Sequence, residues 1–180
     1  MKDKSLNWLK LTLGVLAVAI VGLIVGMIVI NMSSEESLIP EDLNLTIEPD
    51  ENGYIDISYG QVYDDAKERS DILLKEGSKN VKVVKAIYNK LINDEQFRSE
   101  NPMYVNHFII AEADVLAENG FKREALDELL NQDISDLNWG QFELSNYYWR
   151  IIKLANELGE KEIEDDYRAK HESEVKVVTL

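Results

Sequence analysis

The spacing of apolar positions divides this chain into three stretches. The first stretch has no rhythm at all. From Leu11 to Ile30 every residue is apolar or glycine except Thr12, and none is charged. A helix rises about 1.5 Å per residue, so such a run matches a bilayer core of roughly 30 Å. The pattern predicts a transmembrane helix over 11–30. Next comes alternation: Leu43, Leu45 and Ile47, then Ile55, Ile57 and Tyr59, with Asn52-Gly53 between them. Period-two spacing around Asn-Gly predicts a small β-hairpin. From Gln61 the period becomes that of a helix. Val62, Ala66 and Leu73 suit a first helix, and Val81, Val84, Tyr88 and Leu91 a second. Tyr104, Phe108, Ala111 and Val115 form a third stripe, and Phe121, Ala125 and Leu129 a short fourth. Phe142, Tyr148, Ile151, Ile152 and Ala155 form a fifth, with Ile163 and Tyr167 in a sixth. Spacings of three and four place each set on one helical face. Gly77-Ser78, Asn101-Pro102, Asn119-Gly120 and Gly159 supply the stops.

The expected organisation is a tail over 1–10, the membrane helix over 11–30, an acidic spacer with the β-hairpin over 31–60, a helical domain over 61–172 and a tail over 173–180. The fold class is all-α apart from that hairpin. Three helix breaks repeat one theme: Leu74-Lys75-Glu76-Gly77, Ala117-Glu118-Asn119-Gly120 and Asn156-Glu157-Leu158-Gly159. In each, a long helix ends at glycine and a shorter one begins. Repetition of helix hairpins at intervals of about 40 residues predicts a solenoid.

Charge sets the topology. Lys2, Lys4 and Lys10 precede the apolar run, with Asp3 as the single acid. After it, ten acids pass before the first base, Lys67. Lysine and arginine near a span stay on the cytoplasmic side, so the amino terminus is expected inside and the bulk outside. A cleaved signal peptide is the rival, but its apolar region is normally only about 7–15 residues long. Ile28-Val29-Ile30-Asn31-Met32 also offers no small-x-small cleavage site. The chain carries 19 bases and 34 acids; removing Lys2, Lys4, Lys10 and Asp3 leaves 16 against 33, a net of −17 beyond the span. Such a surface repels anionic lipid and argues against nucleic-acid binding. With no cysteine, the domain relies on its core alone.

Gly22-x-x-x-Gly26, with Gly14 eight residues before Gly22, makes one smooth face on the membrane helix. Such a face suits self-association or contact with another membrane protein's helix. Outside the membrane, catalysis has little support. His107 and His171 have no helical partner at i+4, and neither a phosphate loop nor a nucleophile elbow occurs. No cofactor or metal is expected. Glu48 to Asp56 resembles the first nine positions of a calcium loop, but Tyr59 occupies the place of the bidentate glutamate, so a turn is expected. Lys75, Lys79, Lys82, Lys85 and Lys90 make the one basic region, read as a solvated face or a meeting point for acidic groups. Trp139, Phe142, Tyr147, Tyr148 and Trp149 are dense enough that one should leave the core, since adjacent helical residues point about 100° apart. Tyr104, His107, Tyr147 and Trp149 are the candidates to line a partner groove.

The segment from Ala113 to Leu126 resembles the middle of a tetratricopeptide repeat. Ala113 and Ala125, seven before and five after Gly120, stand where that family places small residues for close helix approach. The other two units depart from it, with Ser70 and Lys82 about Gly77, and Ile152 and Glu164 about Gly159. The resemblance covers about residues 61–170 and implies a binding scaffold rather than a chemistry. A short basic tail, one span and an outer domain of such hairpins together resemble the ancillary subunit of the Gram-negative Sec translocon. That resemblance implies an inner-membrane adaptor with a periplasmic domain whose partners are translocon subunits or envelope chaperones. A structural subunit of a membrane complex, joined through the span, is the alternative.

Overall fold

The computed structural model describes residues 38–135, 137 and 139–175. Leu11–Ile30, its Gly14, Gly22 and Gly26, and the tail beyond Val175 lie outside the described residues. Among those described, no helix is long and apolar enough to cross a membrane.

The helical domain has seven α-helices among the described residues: α1 (Asp56–Glu76), α2 (Val81–Ile92), α3 (Glu95–Glu100), α4 (Pro102–Glu118), α5 (Lys122–Asn131), α6 (Gln141–Leu158) and α7 (Lys161–Glu174). A 3-10 turn, Ser78–Asn80, joins α1 to α2. Three antiparallel pairs result: α1 with α2, α4 with α5, and α6 with α7. α4 packs on both helices of the first pair, and α6 packs on α5, so the pairs follow one another in chain order.

The joints are built by glycine. Gly120 has φ +91° and Gly159 has φ +76°. At the first, the Phe121 N–H reaches the Leu116 carbonyl at 2.9 Å and the Gly120 N–H reaches Ala117 at 3.1 Å. At the second, Glu160 reaches Ala155 at 2.8 Å and Gly159 reaches Asn156 at 3.1 Å. Both are six-to-one closures that need a left-handed residue, which only glycine adopts cheaply. Pro102 opens α4 at a position whose N–H would have no helical partner.

One continuous core runs through the pairs. Ile87 and Tyr88 of α2, Phe108, Ile109 and Leu116 of α4, Leu126 and Leu129 of α5, and Ile151 of α6 are all fully enclosed. The third and fifth stripes hold in large part, but Phe142 is 74% exposed and Phe121 lies between helices rather than within one. Phe142 stands at the start of α6, beyond the reach of the neighbouring helices. The short α3 carries no clear stripe. It is marked by its cap: the Asp94 side chain accepts from the Phe97 N–H at 2.7 Å.

The expected β-hairpin does not form. There is no strand among the described residues. The Asn52-Gly53 turn exists, with Gly53 at φ +84°. Asp50 holds it by accepting from Asn52 and Tyr54 through one carboxylate oxygen. The Tyr54 bond, first among these contacts, draws that carboxyl below its ordinary value. Beyond the turn, however, Ile57 and Tyr59 belong to α1, and Ile57 is 83% exposed. A helix that continues for 21 residues, once nucleated, extends backward at little cost and removes the second strand. Leu45 is buried and Leu43 and Ile47 are half-buried against the helical core, so the first half of the alternation finds its apolar contact there.

Candidate interaction groove

α4 ends in Glu118, and its last turns carry small side chains, Ala113 and Ala117. With Leu154 of α6 they line a groove of about 460 Å³ between α4 and α6. Trp149 stands in its wall, 48% exposed. The indole has two neighbours on α7. His171 of α7 lies 5.2 Å from it, and the Arg168 guanidinium sits 5.7 Å from its ring centre, a cation–π distance. The groove therefore has a preset aromatic surface, the kind that supplies binding energy at low entropic cost.

Ion pairs cross the groove. Arg150 grips Asp114 with both Nε and a terminal nitrogen, each at 2.8 Å. Lys122 meets Glu157 at 2.9 Å, and that contact draws the Glu157 carboxyl below its ordinary value. The forked arginine pair is directional and fixes the spacing of the two helices more than it stabilises them. The resulting lining is apolar in its floor and charge-balanced at its rim, with Lys153 and Glu118 exposed at the edge.

The four residues expected to line one groove occupy three places. Trp149 lines it. Tyr147 does not: it is 2% exposed, and its hydroxyl donates to the Leu129 carbonyl inside the core. Two residues apart on a helix is about 200° of rotation, so one of the pair must face in when the other faces out. Tyr104 and His107 lie nearer the start of α4 and tie it to α1. The Tyr104 hydroxyl donates to Asp56, and this bond raises the Tyr104 pKa. His107 Nδ1 shares a hydrogen bond with the Tyr59 hydroxyl at 2.9 Å. Tyr59 also packs at a tilt against Tyr104, with ring centres 4.3 Å apart, and edge-on to Phe108. Burial raises the Tyr59 pKa. This cluster is an interhelical seam.

Sequence reasoning missed Asp114, Arg150, Lys122 and Glu157. The first two are 36 residues apart and carry no local signal. Of the expected basic region, Lys85 pairs with Glu128; Asp42 of the acidic spacer is met at 3.3 Å by Arg69, which lies outside that region. A second cleft, of about 550 Å³, lies between Leu45–Pro49 and the Leu91–Phe97 region. Among the described residues no group of three histidines or acids could hold a metal ion. Ser145 Oγ meets His171 Nε2 at 2.8 Å. Both residues sit inside helices, where backbone N–H groups are engaged and cannot form an oxyanion site. That pair joins α6 to α7 beside Trp149. No protein-family model, curated protein or solved structure matches the chain.

Proposed function

We propose that this chain is a membrane-anchored interaction adaptor whose helical hairpins form a tetratricopeptide-like domain outside the cytoplasm. Its mechanism is binding: a protein segment seats in the α4–α6 groove against Trp149. The span over 11–30 confines the domain to the membrane surface and raises its effective concentration there. The partners are those the resemblance implies, translocon subunits or envelope chaperones at the inner membrane. The observation that carries this reading is the half-exposed Trp149, held by α7 beside a groove with an alanine floor. A monomeric domain has little reason to keep an indole in that position, and aromatic anchors are the common energetic centres of interfaces. The Gly22-x-x-x-Gly26 face favours a second reading, a structural subunit held laterally in a membrane complex.

The test is photocrosslinking in native membranes from a photoreactive residue at position 149, with position 142 as control. Phe142 is more exposed than Trp149 and is not part of the groove. Adducts with translocon subunits or envelope chaperones from 149 but not from 142 are expected. Adducts of this chain with itself alone, or equal yields from both positions, count against the groove. Leucine at both Gly22 and Gly26 should leave those adducts intact; their loss would favour the lateral subunit.

A further inference from the structure

Glu112 is the one fully enclosed acid among the described residues, at 0% exposure. It lies in the middle of α4, and neither carboxylate oxygen has a hydrogen-bond partner among the described residues. Its helical neighbours at i±3 and i±4 are Phe108, Ile109, Val115 and Leu116, so α4 itself offers nothing. The charged and titratable groups around it come from other helices. α2 presents Lys85 and Tyr88, and α5 presents Glu128. From α1, Tyr63 and Asp71 act on Tyr88, beside the buried Ser70. Asp71 is itself engaged by Asn119 at 2.8 Å. α3 meets α4 through Phe97, against Tyr104 and Phe108.

Lys85 is the critical neighbour. Among the described residues it is the cation whose charge acts on Glu112, and it already pairs with Glu128, joining α2 to α5. Two carboxyl groups from different helices thus compete for one ammonium. While Glu112 is neutral, Lys85 serves Glu128 and the junction of the first two hairpins stays closed. Once Glu112 is ionised, a bare carboxylate cannot remain where it is, because an unpaired buried charge is too costly. It must take Lys85 from Glu128 or reach water: the first breaks the α2–α5 pair and the second opens the packing around α4.

We propose that Glu112 is a proton-operated latch at the junction of the first two hairpins, closed when the carboxyl is neutral and opened by its ionisation. Burial, reinforced by Glu128 and opposed by Lys85, holds the carboxyl well above its ordinary value of 4.5, so the closed form extends above that pH. The sign follows from proton counting. Between the ordinary value and the raised one, the folded chain holds a proton that the unfolded chain has released. Folding therefore weakens as pH rises through this window, by up to about tenfold in the unfolding equilibrium per pH unit. The α4–α5 hairpin also carries one wall of the groove, so the latch couples pH to the site.

The experiment uses the full chain in detergent micelles. Unfolding in urea is followed by helical circular dichroism from about pH 5 to 8.5, for the wild type, Glu112→Gln and Glu112→Leu. In both variants position 112 carries no titratable group. The wild type should lose stability with rising pH relative to both, by up to about tenfold per unit. Parallel pH dependence in all three would overturn the proposal. Amide hydrogen exchange, corrected for its intrinsic pH dependence, locates the opening. Protection should fall at high pH in α2, α4 and α5 of the wild type and hold in α6 and α7. Uniform loss over all helices would reject a local latch.

Discussion

α4 and α7 each bury one glutamate, and they treat it in opposite ways. Glu112 sits in a helix with nine buried residues, packed against both helices of the preceding pair and against α5. No group there satisfies its oxygens, and burial pushes its pKa up. Glu164 is the one buried residue of α7, a helix at the edge of the domain. Asn156 reaches it at 3.1 Å, Arg168 at 2.9 Å and Lys161 at 3.5 Å. The Asn156 bond, then the Arg168 bond, holds the Glu164 carboxyl below its ordinary value. Burial alone therefore does not decide the fate of a carboxyl. What decides it is whether hydrogen-bonding partners stand within reach, here Asn156 of α6 first and then residues on the helix's own open face. Glu164 has Lys161 and Arg168 at i−3 and i+4, whereas Glu112 has only apolar residues at i±3 and i±4. The pH consequences are opposite. Stability from Glu164 is present above its ordinary value and is lost as pH falls through the lowered one. Stability from neutral Glu112 is present below 4.5 and is lost as pH rises toward the raised one.

The contrast can be attacked from its strongest point downward. Phe108 packs beneath the seam of Tyr59, Tyr63 and Phe97 on the α4 side. Phe108→Ala should cost about 3–5 kcal/mol in urea unfolding; a loss below about 1 kcal/mol would mean that α4 is not the centre of the core. Glu112→Leu should do the reverse and add about 1–3 kcal/mol near neutral pH, because it replaces an unsatisfied buried acid by an apolar side chain. Destabilisation there would show that Glu112 has a partner after all. Asp94→Ala removes the cap of α3, which braces the start of α4, and should cost about 1 kcal/mol. The smallest effect belongs to Glu164→Gln. It should leave the melting temperature near neutral pH only slightly lower and flatten the loss of stability as pH falls below about 4.5. An unchanged acid limb would remove the contrast.

Much of the helical domain was legible in the chain. The stripe of Val84, Tyr88 and Leu91 is buried as its spacing implies, and so are Phe108, Ala111 and Val115. Gly120 and Gly159 lie at the helix ends where glycine stops helices. The alternation from Leu43 to Tyr59 misled because local periodicity over a few residues is weaker than a long helix next to it. Phe142 misled because a stripe extrapolated to a helix end need not meet a neighbour there. Of the groove, Trp149 was named, but beside Tyr147, Tyr104 and His107, which the fold assigns to the core and to the α1–α4 seam.

By itself, then, the chain determined the long helices, their glycine joints and the acidic surface, because helix period and backbone conformation are local properties. It also showed that the aromatic run from Trp139 to Trp149 could not all enter one core, although it set Tyr147 and Trp149 on the same groove. Which of the two faces inward was decided only when α5 placed the Leu129 carbonyl over the Tyr147 hydroxyl. The Asp114–Arg150 fork and the rivalry of Glu112 and Glu128 for Lys85 were decided the same way. Such contacts join residues tens of positions apart, and their geometry exists only after the hairpins have packed.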